Sequence, residues 1–195
     1  MTKSRLEAFS DGVIAIIITI MVLELKVPLG ADLAALRPLV PKILSYILSF
    51  VFLGIYWNNH HHLFHLVHHV NGRILWANLH LLFWLSLTPF VTGWMGENEF
   101  APLPVALYGV VLWFDGLAFF ILARALVSIH GRESTLATAL GEDAKGKISL
   151  VLYTIAIPLA FVYTWVAFGL LVVVAIIWFI PDRRIENVID EKSTT

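Results

Sequence analysis

Long apolar runs separated by short polar or Pro/Gly-containing breaks dominate this chain and predict membrane-spanning helices. Each run holds about the 20 residues that a helix needs to cross the hydrocarbon core of a bilayer. The breaks contain Pro28-Leu-Gly30, Asn71-Gly72 and Pro102, which are typical of loops. The pattern predicts four single spans, at about residues 9–27, 41–66, 74–95 and 104–128.

The last apolar run is too long to be one span. It extends over 33 residues from Ile148 to Ile180, about 50 Å as a single helix against a hydrocarbon core of about 30 Å. We therefore predict two short spans, about 148–162 and 165–180, joined by a turn near Tyr163. The fold class predicted is an all-α integral membrane protein with six transmembrane helices in a single domain over residues 1–195.

Composition supports an integral membrane protein and argues against a soluble domain, a nucleic-acid-binding protein and an enzyme. Hydrophobic residues make up 59% of the chain, charged residues only 14%, and the mean hydropathy is +0.83; a soluble domain has about a quarter of its residues charged. A net charge of −1 argues against a nucleic-acid partner. The chain has no cysteine, no paired-aspartate motif and no membrane-buried serine with an obvious base, so we expect neither an enzyme nor a bound cofactor or metal.

Basic residues predict the orientation, because they are enriched in cytoplasmic loops. With six spans and the N-terminus inside, ten basic residues lie on the cytoplasmic side and three outside. Both termini are therefore predicted to be cytoplasmic. The inner set is Lys3, Arg5, Arg73, Arg124, Arg132, Lys145, Lys147, Arg183, Arg184 and Lys192, and the outer set is Lys26, Arg37 and Lys42.

The first span carries an apolar stripe next to a polar entrance. On a helical wheel with about 100° per residue and Phe9 at 0°, one side of the helix carries Ile16, Ile20 and Leu23 at about 340°, 20° and 320°. Thr19 lies beside this stripe, at about 280°. Asp11 lies near about 200° on the same wheel, away from the stripe. We therefore predict that its carboxylate contacts neighbouring helices and holds the first span in position. The stripe alone fits lipid contact or core packing as well as a pore lining, and Ser10-Asp11 fits a helix cap as well as a buried polar network.

The start of this span resembles a known signature. Arg5-x-x-x-Phe9-Ser10-Asp11 is similar to the motif of the transmembrane protein 175 family of potassium-permeable channels, which comprises a lysosomal member and short prokaryotic homologues. Two further segments support this resemblance: Tyr56-Trp57-x-Asn59-His60-His61 at the end of the second span and Pro181-Asp182-Arg183-Arg184 after the last span. The resemblance covers essentially the whole chain, and one six-span repeat resembles a prokaryotic member.

The resemblance implies a function for the stripe. In this family the first helix lines the conduction path, four copies assemble around it, and bulky aliphatic side chains form its narrowest point. Applied here, Ile16, Thr19, Ile20 and Leu23 become the pore-lining residues, with a constriction at Ile16 and the hydroxyl of Thr19 beside it. The implied function is passive conduction of potassium by a homotetramer in a bacterial plasma membrane.

Other polar residues in or near the spans give further hypotheses. Arg5, Asp11, Trp57, Asn59 and His80 are expected to form an interhelical network, with Asp11 as the partner of His80. Glu24 is either an exposed interfacial residue or a member of an acidic ring at the outer mouth of the pore.

Two features keep an alternative function open. Six histidines lie between His60 and His69; they suit a solvated interface and a structural network, and less well a metal site or a pH sensor. Asp115 lies well inside the fourth span, where it serves either as a proton or ion site or as a partner for another helix. The alternative is a proton- or metal-coupled secondary transporter using Asp115 and these histidines.

Overall fold

The computed structural model describes residues 2–67, 69–131 and 143–179. In these ranges the chain forms α-helices joined by short connections, with a 3₁₀ helix, Leu33–Leu39, in the first of them. The helices are α1 (Lys3–Leu23), α2 (Val40–His65), α3 (Gly72–Leu85), α4 (Thr88–Glu97), α5 (Pro102–His130), α6 (Ala144–Leu159) and α7 (Thr164–Phe179).

The all-α membrane fold predicted from the sequence is confirmed. The six predicted spans fall on α1, α2, the pair α3 and α4, α5, α6 and α7. Four helical segments of the described chain are long and apolar enough to cross a membrane. The last two helices have 16 residues each, about 24 Å at 1.5 Å per residue, and the turn between them lies at Ala160–Tyr163, slightly before the predicted position.

The third span is broken, which the hydropathy pattern did not predict. Ser86 and Leu87 separate α3 from α4, and Pro89 stands in the first turn of α4. A proline has no backbone N–H to donate to the carbonyl four residues earlier, and its ring clashes with that carbonyl. A hydropathy window averages over such a break because the side chains around it remain apolar.

The helix pairing places α1 at one side of the bundle. α1 packs against α2, α3 and α4, whereas α5 packs against α3, α4, α6 and α7. The N-terminus of α1 meets the C-terminus of α2, where Nζ of Lys3 donates to the carbonyl of His65 over 3.5 Å. α1 is therefore held by its neighbours along one face only.

Some sequence predictions lie outside the described residues. They concern His68 of the histidine cluster, Arg132 of the cytoplasmic set, the end of the sixth span at Ile180, the Pro181–Arg184 motif and Lys192.

Gly96 allows α4 to approach α2 closely at the end opposite to the N-terminus. A Cβ added there would lie 2.8 Å from the Cα of Lys42, a backbone atom that cannot move aside as a flexible side chain does. We expect Gly96→Ala to destabilise the fold by about 2 kcal/mol through overpacking, measured by thermal unfolding in detergent. Gly54→Ala in α2, where nothing lies within 4 Å of the added atom, is the matched control; an equal effect of both would contradict this account.

Candidate pore-lining helix and its anchor

α1 has one buried face and one exposed apolar face. Its buried residues are Leu6, Ser10, Ile14, Ile17 and Met21. The stripe predicted from the sequence lies on the exposed side: Phe9 is 48% exposed, Ile16 58%, Ile20 44% and Leu23 77%. The single chain therefore leaves a continuous apolar surface on α1 with no helix of its own against it.

Thr19 lies on the exposed side of α1, next to the stripe. Its hydroxyl donates to the carbonyl of Ile16 over 2.9 Å, as hydroxyls in membrane helices commonly do. This bond uses the proton and leaves the oxygen lone pairs of Thr19 available as acceptors. An acceptor oxygen on an otherwise apolar face is suited to contact a partly dehydrated cation.

A chain of buried hydrogen bonds holds the buried side of α1. The amide nitrogen of Asn78 in α3 donates to Oγ of Ser10 over 2.9 Å, and Ser10 donates to the carbonyl of Leu6 over 2.9 Å. Nε2 of His60 in α2 donates to Oδ1 of Asn78 over 2.8 Å. Ser10, His60 and Asn78 are at most 1% exposed. Three helices are thus fixed to one another by one polar chain in an apolar surrounding.

Asp11 forms a second contact between α1 and α2. Its Oδ1 accepts a hydrogen bond from Nε1 of Trp57 over 3.0 Å, and the Trp57 ring stacks on His61 with centroids 6.1 Å apart. The carboxylate therefore faces α2 and not the exposed stripe, in agreement with the helical geometry predicted from the sequence.

We expect Trp57→Phe to lower stability by about 1 kcal/mol without changing ion selectivity. The substitution keeps an aromatic ring beside His61 but removes the N–H that binds Asp11, and a hydrogen bond between membrane helices contributes on the order of 1 kcal/mol. Thermal unfolding and bilayer recording of the same preparation measure the two quantities. Trp165→Phe is the matched control because Trp165 is 66% exposed; a selectivity change in Trp57→Phe would place Trp57 in the conduction path.

The predicted partner of Asp11 was wrong. His80 accepts a hydrogen bond from Nε1 of Trp84 on its own helix over 3.0 Å and does not bind Asp11. Asn59 donates to the carbonyl of Ile55 within α2. Arg5 is exposed, and none of the hydrogen bonds or ion pairs within the described residues includes it. Of the predicted network, the structure brings together only Asp11 and Trp57.

Asn78 joins α1 to α2, a role that the sequence did not lead us to predict for it. Asn78 and His80 are two positions apart on one helix, about 200° around its axis, so only one of them can face α1. Both are polar residues in an apolar span, and hydropathy does not distinguish them. Asn78 lies on the buried face of α3, together with Ile74, Ala77, Leu81 and Leu85. The helical spacing of these apolar residues in the sequence could have identified Asn78 as the buried polar residue.

Glu24 is exposed at the end of α1, and its side chain lies beside α4. Its Oε2 would lie 3.7 Å from a Cβ placed on Gly93 of α4, and it lines a small cavity together with Lys42 and Glu97. Nζ of Lys42 binds Glu97 over 3.0 Å at the same end of the bundle. In a single chain the carboxylate of Glu24 thus sits toward α4.

Comparison with known proteins matches this arrangement to one family. Residues 5–89, which contain α1 and its anchor, match the family model described as endosomal/lysosomal potassium channel TMEM175. A Chryseobacterium sp. (strain P1-3) protein named potassium channel is 54% identical over 191 residues, covering 98% of this chain and 100% of the relative. The chain belongs to the TMEM175 family.

A solved member of the TMEM175 family has the same fold. The crystal structure of a lysosomal potassium-selective channel TMEM175 homolog from Chamaesiphon minutus matches with a TM-score of 0.78 and 29% identity, covering 90% of this chain and 95% of that chain. The human endosomal/lysosomal proton channel TMEM175 is 40% identical over 76 residues, which cover 33% of this chain and 15% of the human protein.

The histidine cluster of this TMEM175 member is divided between different surroundings. His60 is buried and bound to Asn78, and its ring stacks on Phe64 with centroids 4.5 Å apart. His61 and His65 are exposed, and the backbone N–H of His69 donates to Nε2 of His130. Among residues 2–67, 69–131 and 143–179, no three His, Asp or Glu side chains form a group that could hold a metal ion.

Asp115 lies buried on α5, away from α1. It is 1% exposed, and neither carboxylate oxygen has a hydrogen-bond partner in the described part of the chain. Two tyrosines lie beside its neighbour Gly116, where an added Cβ would be 3.8 Å from Oη of Tyr56 and 3.9 Å from Cε2 of Tyr153. The residue is thus a polar group inside the subunit, separate from the stripe on α1.

Proposed function

We propose that the chain is a potassium-permeable cation channel in which copies of α1 surround the pore, and not an enzyme. The observation that carries this proposal is that α1 has one exposed apolar face and one buried face that is hydrogen-bonded to other helices. One face presents an unpaired stripe from Phe9 to Leu23, and the other is fixed through Ser10 to two neighbouring helices. Membership of the TMEM175 family and the name potassium channel of the Chryseobacterium relative support the same function.

The pore needs more than one chain, because each chain contributes a single α1. We propose a homotetramer with potassium as the permeant ion and lipid around the outer helices. In it, four Ile16 side chains form a constriction, with Ile20 and Leu23 one and two turns away. An apolar ring of this kind restricts ions by dewetting. The chain has no Thr-Val-Gly-Tyr-Gly loop that would supply a carbonyl filter, so we expect only modest discrimination between potassium and sodium.

We further propose a bacterial plasma membrane location with both termini in the cytoplasm. The distribution of lysine and arginine supports this orientation. The contact between Lys3 and the His65 carbonyl places the start of α1 and the end of α2 on one side, and the Lys42–Glu97 pair lies at the other end of the bundle. Protease protection of an epitope tag at either terminus in right-side-out vesicles tests the orientation.

Recording from the purified protein in a planar bilayer tests the channel. Discrete current steps that reverse near the potassium equilibrium potential are expected under a potassium gradient. A transporter gives no such steps, because its turnover is limited by a conformational cycle. Absence of steps together with uptake into vesicles driven by a pH gradient would overturn the proposal.

The buried carboxylate of Asp115 is the observation that favours the second candidate, a proton-coupled transporter. An unpartnered carboxyl group in a membrane span commonly belongs to a proton pathway. Asp115→Asn separates the two functions, because it removes the titratable group and nearly preserves the side-chain shape. The channel account expects unitary potassium current to remain, whereas the transporter account expects loss of pH-driven uptake.

A further inference from the structure

An open groove lies between α3 and α5 on the outer surface of the subunit. Its cavity volume is about 450 Å³. Arg73, Arg124 and Ser128 give it a polar end, and Trp76, Phe120 and Ile121 give it an apolar surface. Trp76 is 75% exposed, so the groove is accessible from the surroundings of the subunit. It is separate from the stripe and from the anchor of α1.

The two arginines of the groove carry no acidic partner within the described residues. The ion pairs found there belong to Lys3, Lys26 and Lys42. The guanidinium of Arg124 lies 5.0 Å from the centre of the Phe120 ring, a contact that leaves the N–H donors at its edge free to bind an anion. None of the described residues that line the groove is acidic. Within the described part of the chain, two positive charges therefore face one open space without a compensating carboxylate.

The two arginines of the groove lie near the ends of their helices. Arg73 is in the first turn of α3, and Arg124 is six residues before the end of α5, about 9 Å along the helix. The start of α3 and the end of α5 meet where His69 contacts His130. This is the side of the N-terminus, because Lys3 contacts His65 at the end of α2. Tryptophan and arginine are typical of this interfacial depth.

We propose that this groove binds an anionic phospholipid from the leaflet on the N-terminal side. The phosphodiester lies between Arg73 and Arg124, where planar guanidinium groups can each donate two hydrogen bonds to phosphate oxygens. One acyl chain lies along Trp76 and Ile121. Basic pockets between membrane helices on this kind of surface recognise anionic headgroups.

A second copy of the chain is the competing occupant, and its available charges fit less well. The carboxylates at the start of α1, on this side of the membrane, are already engaged. Glu7 pairs with Lys3 over 3.8 Å, and Asp11 accepts from Trp57. A phospholipid supplies both the anion and the apolar chain that the groove requires.

Native mass spectrometry of the full chain in detergent, with phosphatidylglycerol or phosphatidylcholine added, tests the proposal. Phosphatidylglycerol is expected to bind about tenfold more tightly than phosphatidylcholine. Arg73→Gln and Arg124→Gln should each remove most of this preference, since a hydrogen bond to a charged group accounts for a change of about this size. Lysine at both positions should restore part of it, which also separates loss of charge from loss of folding.

Lys147→Gln is the matched control, because Lys147 is exposed at the start of α6 and lies outside the groove. An equal loss of phosphatidylglycerol in this variant would overturn the proposal in favour of unspecific charge attraction. Displacement of the lipid by millimolar inorganic phosphate would assign the arginines to a soluble anion. Loss of the oligomer in Arg124→Gln, with lipid binding unchanged, would assign the groove to a contact between copies.

Discussion

Replacing Ile16 by asparagine is expected to raise the potassium current about tenfold and to reduce discrimination between potassium and sodium. An ion passing an apolar ring loses hydration without compensation. An amide at this position supplies oxygen and nitrogen atoms that hold water in the constriction. A tenfold increase corresponds to a barrier lowered by about 1.4 kcal/mol. Unitary conductance and the reversal potential under bi-ionic potassium and sodium measure the two effects.

The control for this prediction uses the same residue type on another helix. Ile155 of α6 is 48% exposed, close to the 58% of Ile16, and it lies away from α1. Ile155→Ala is expected to leave conductance and selectivity unchanged, whereas Ile16→Ala should widen the constriction and change both. Unaltered permeation in both Ile16 variants would remove Ile16 from the narrowest point.

Replacing Asn78 by leucine is expected to destabilise the protein by about 3 kcal/mol. Leucine fills the space but leaves Nε2 of His60 without its acceptor, and an unsatisfied buried polar group costs about 1–3 kcal/mol. It also removes the donor to Oγ of Ser10, which keeps its bond to the Leu6 carbonyl. The effect exceeds that of Trp57→Phe because two contacts and three helices are involved. Thermal unfolding in detergent measures it, and oligomer size on a sizing column reports whether α1 stays in place.

Asn98→Ala is the matched control, since the Asn98 amide is exposed and donates only to the carbonyl of Trp94 on its own helix. We expect a small change there. Equal unfolding temperatures for Asn78→Leu and the parent protein would show that the Ser10–Asn78–His60 chain does not anchor α1.

Hydropathy predicted the spans because burial in lipid imposes the same requirement on every spanning helix. The described part of the last apolar run forms two helices, Ala144–Leu159 and Thr164–Phe179, in agreement with the limit that membrane thickness sets on the length of one span. The break at Ser86–Leu87 was missed because a proline-induced interruption leaves the apolar pattern unchanged.

The exposed stripe on α1 was predictable, whereas its anchor was only half predictable. Helical angles separate Ile16 and Ile20 from Asp11 without any tertiary information. Which residue binds Asp11 depends on the relative rotation of three helices, and the sequence does not contain that rotation directly. The predicted network correctly contained Trp57, which binds Asp11. It also contained His80, whereas the polar residue of α3 that faces α1 is Asn78.

Silver block of single-cysteine channels tests most directly whether the exposed stripe of α1 lines the pore. The chain contains no cysteine, so each introduced thiol is the strongest site for Ag⁺, a monovalent cation. The account predicts irreversible block of Ile16→Cys and Ile20→Cys, and continued current in Ile155→Cys. Unblocked current through both α1 variants, or block of the α6 variant, would contradict it.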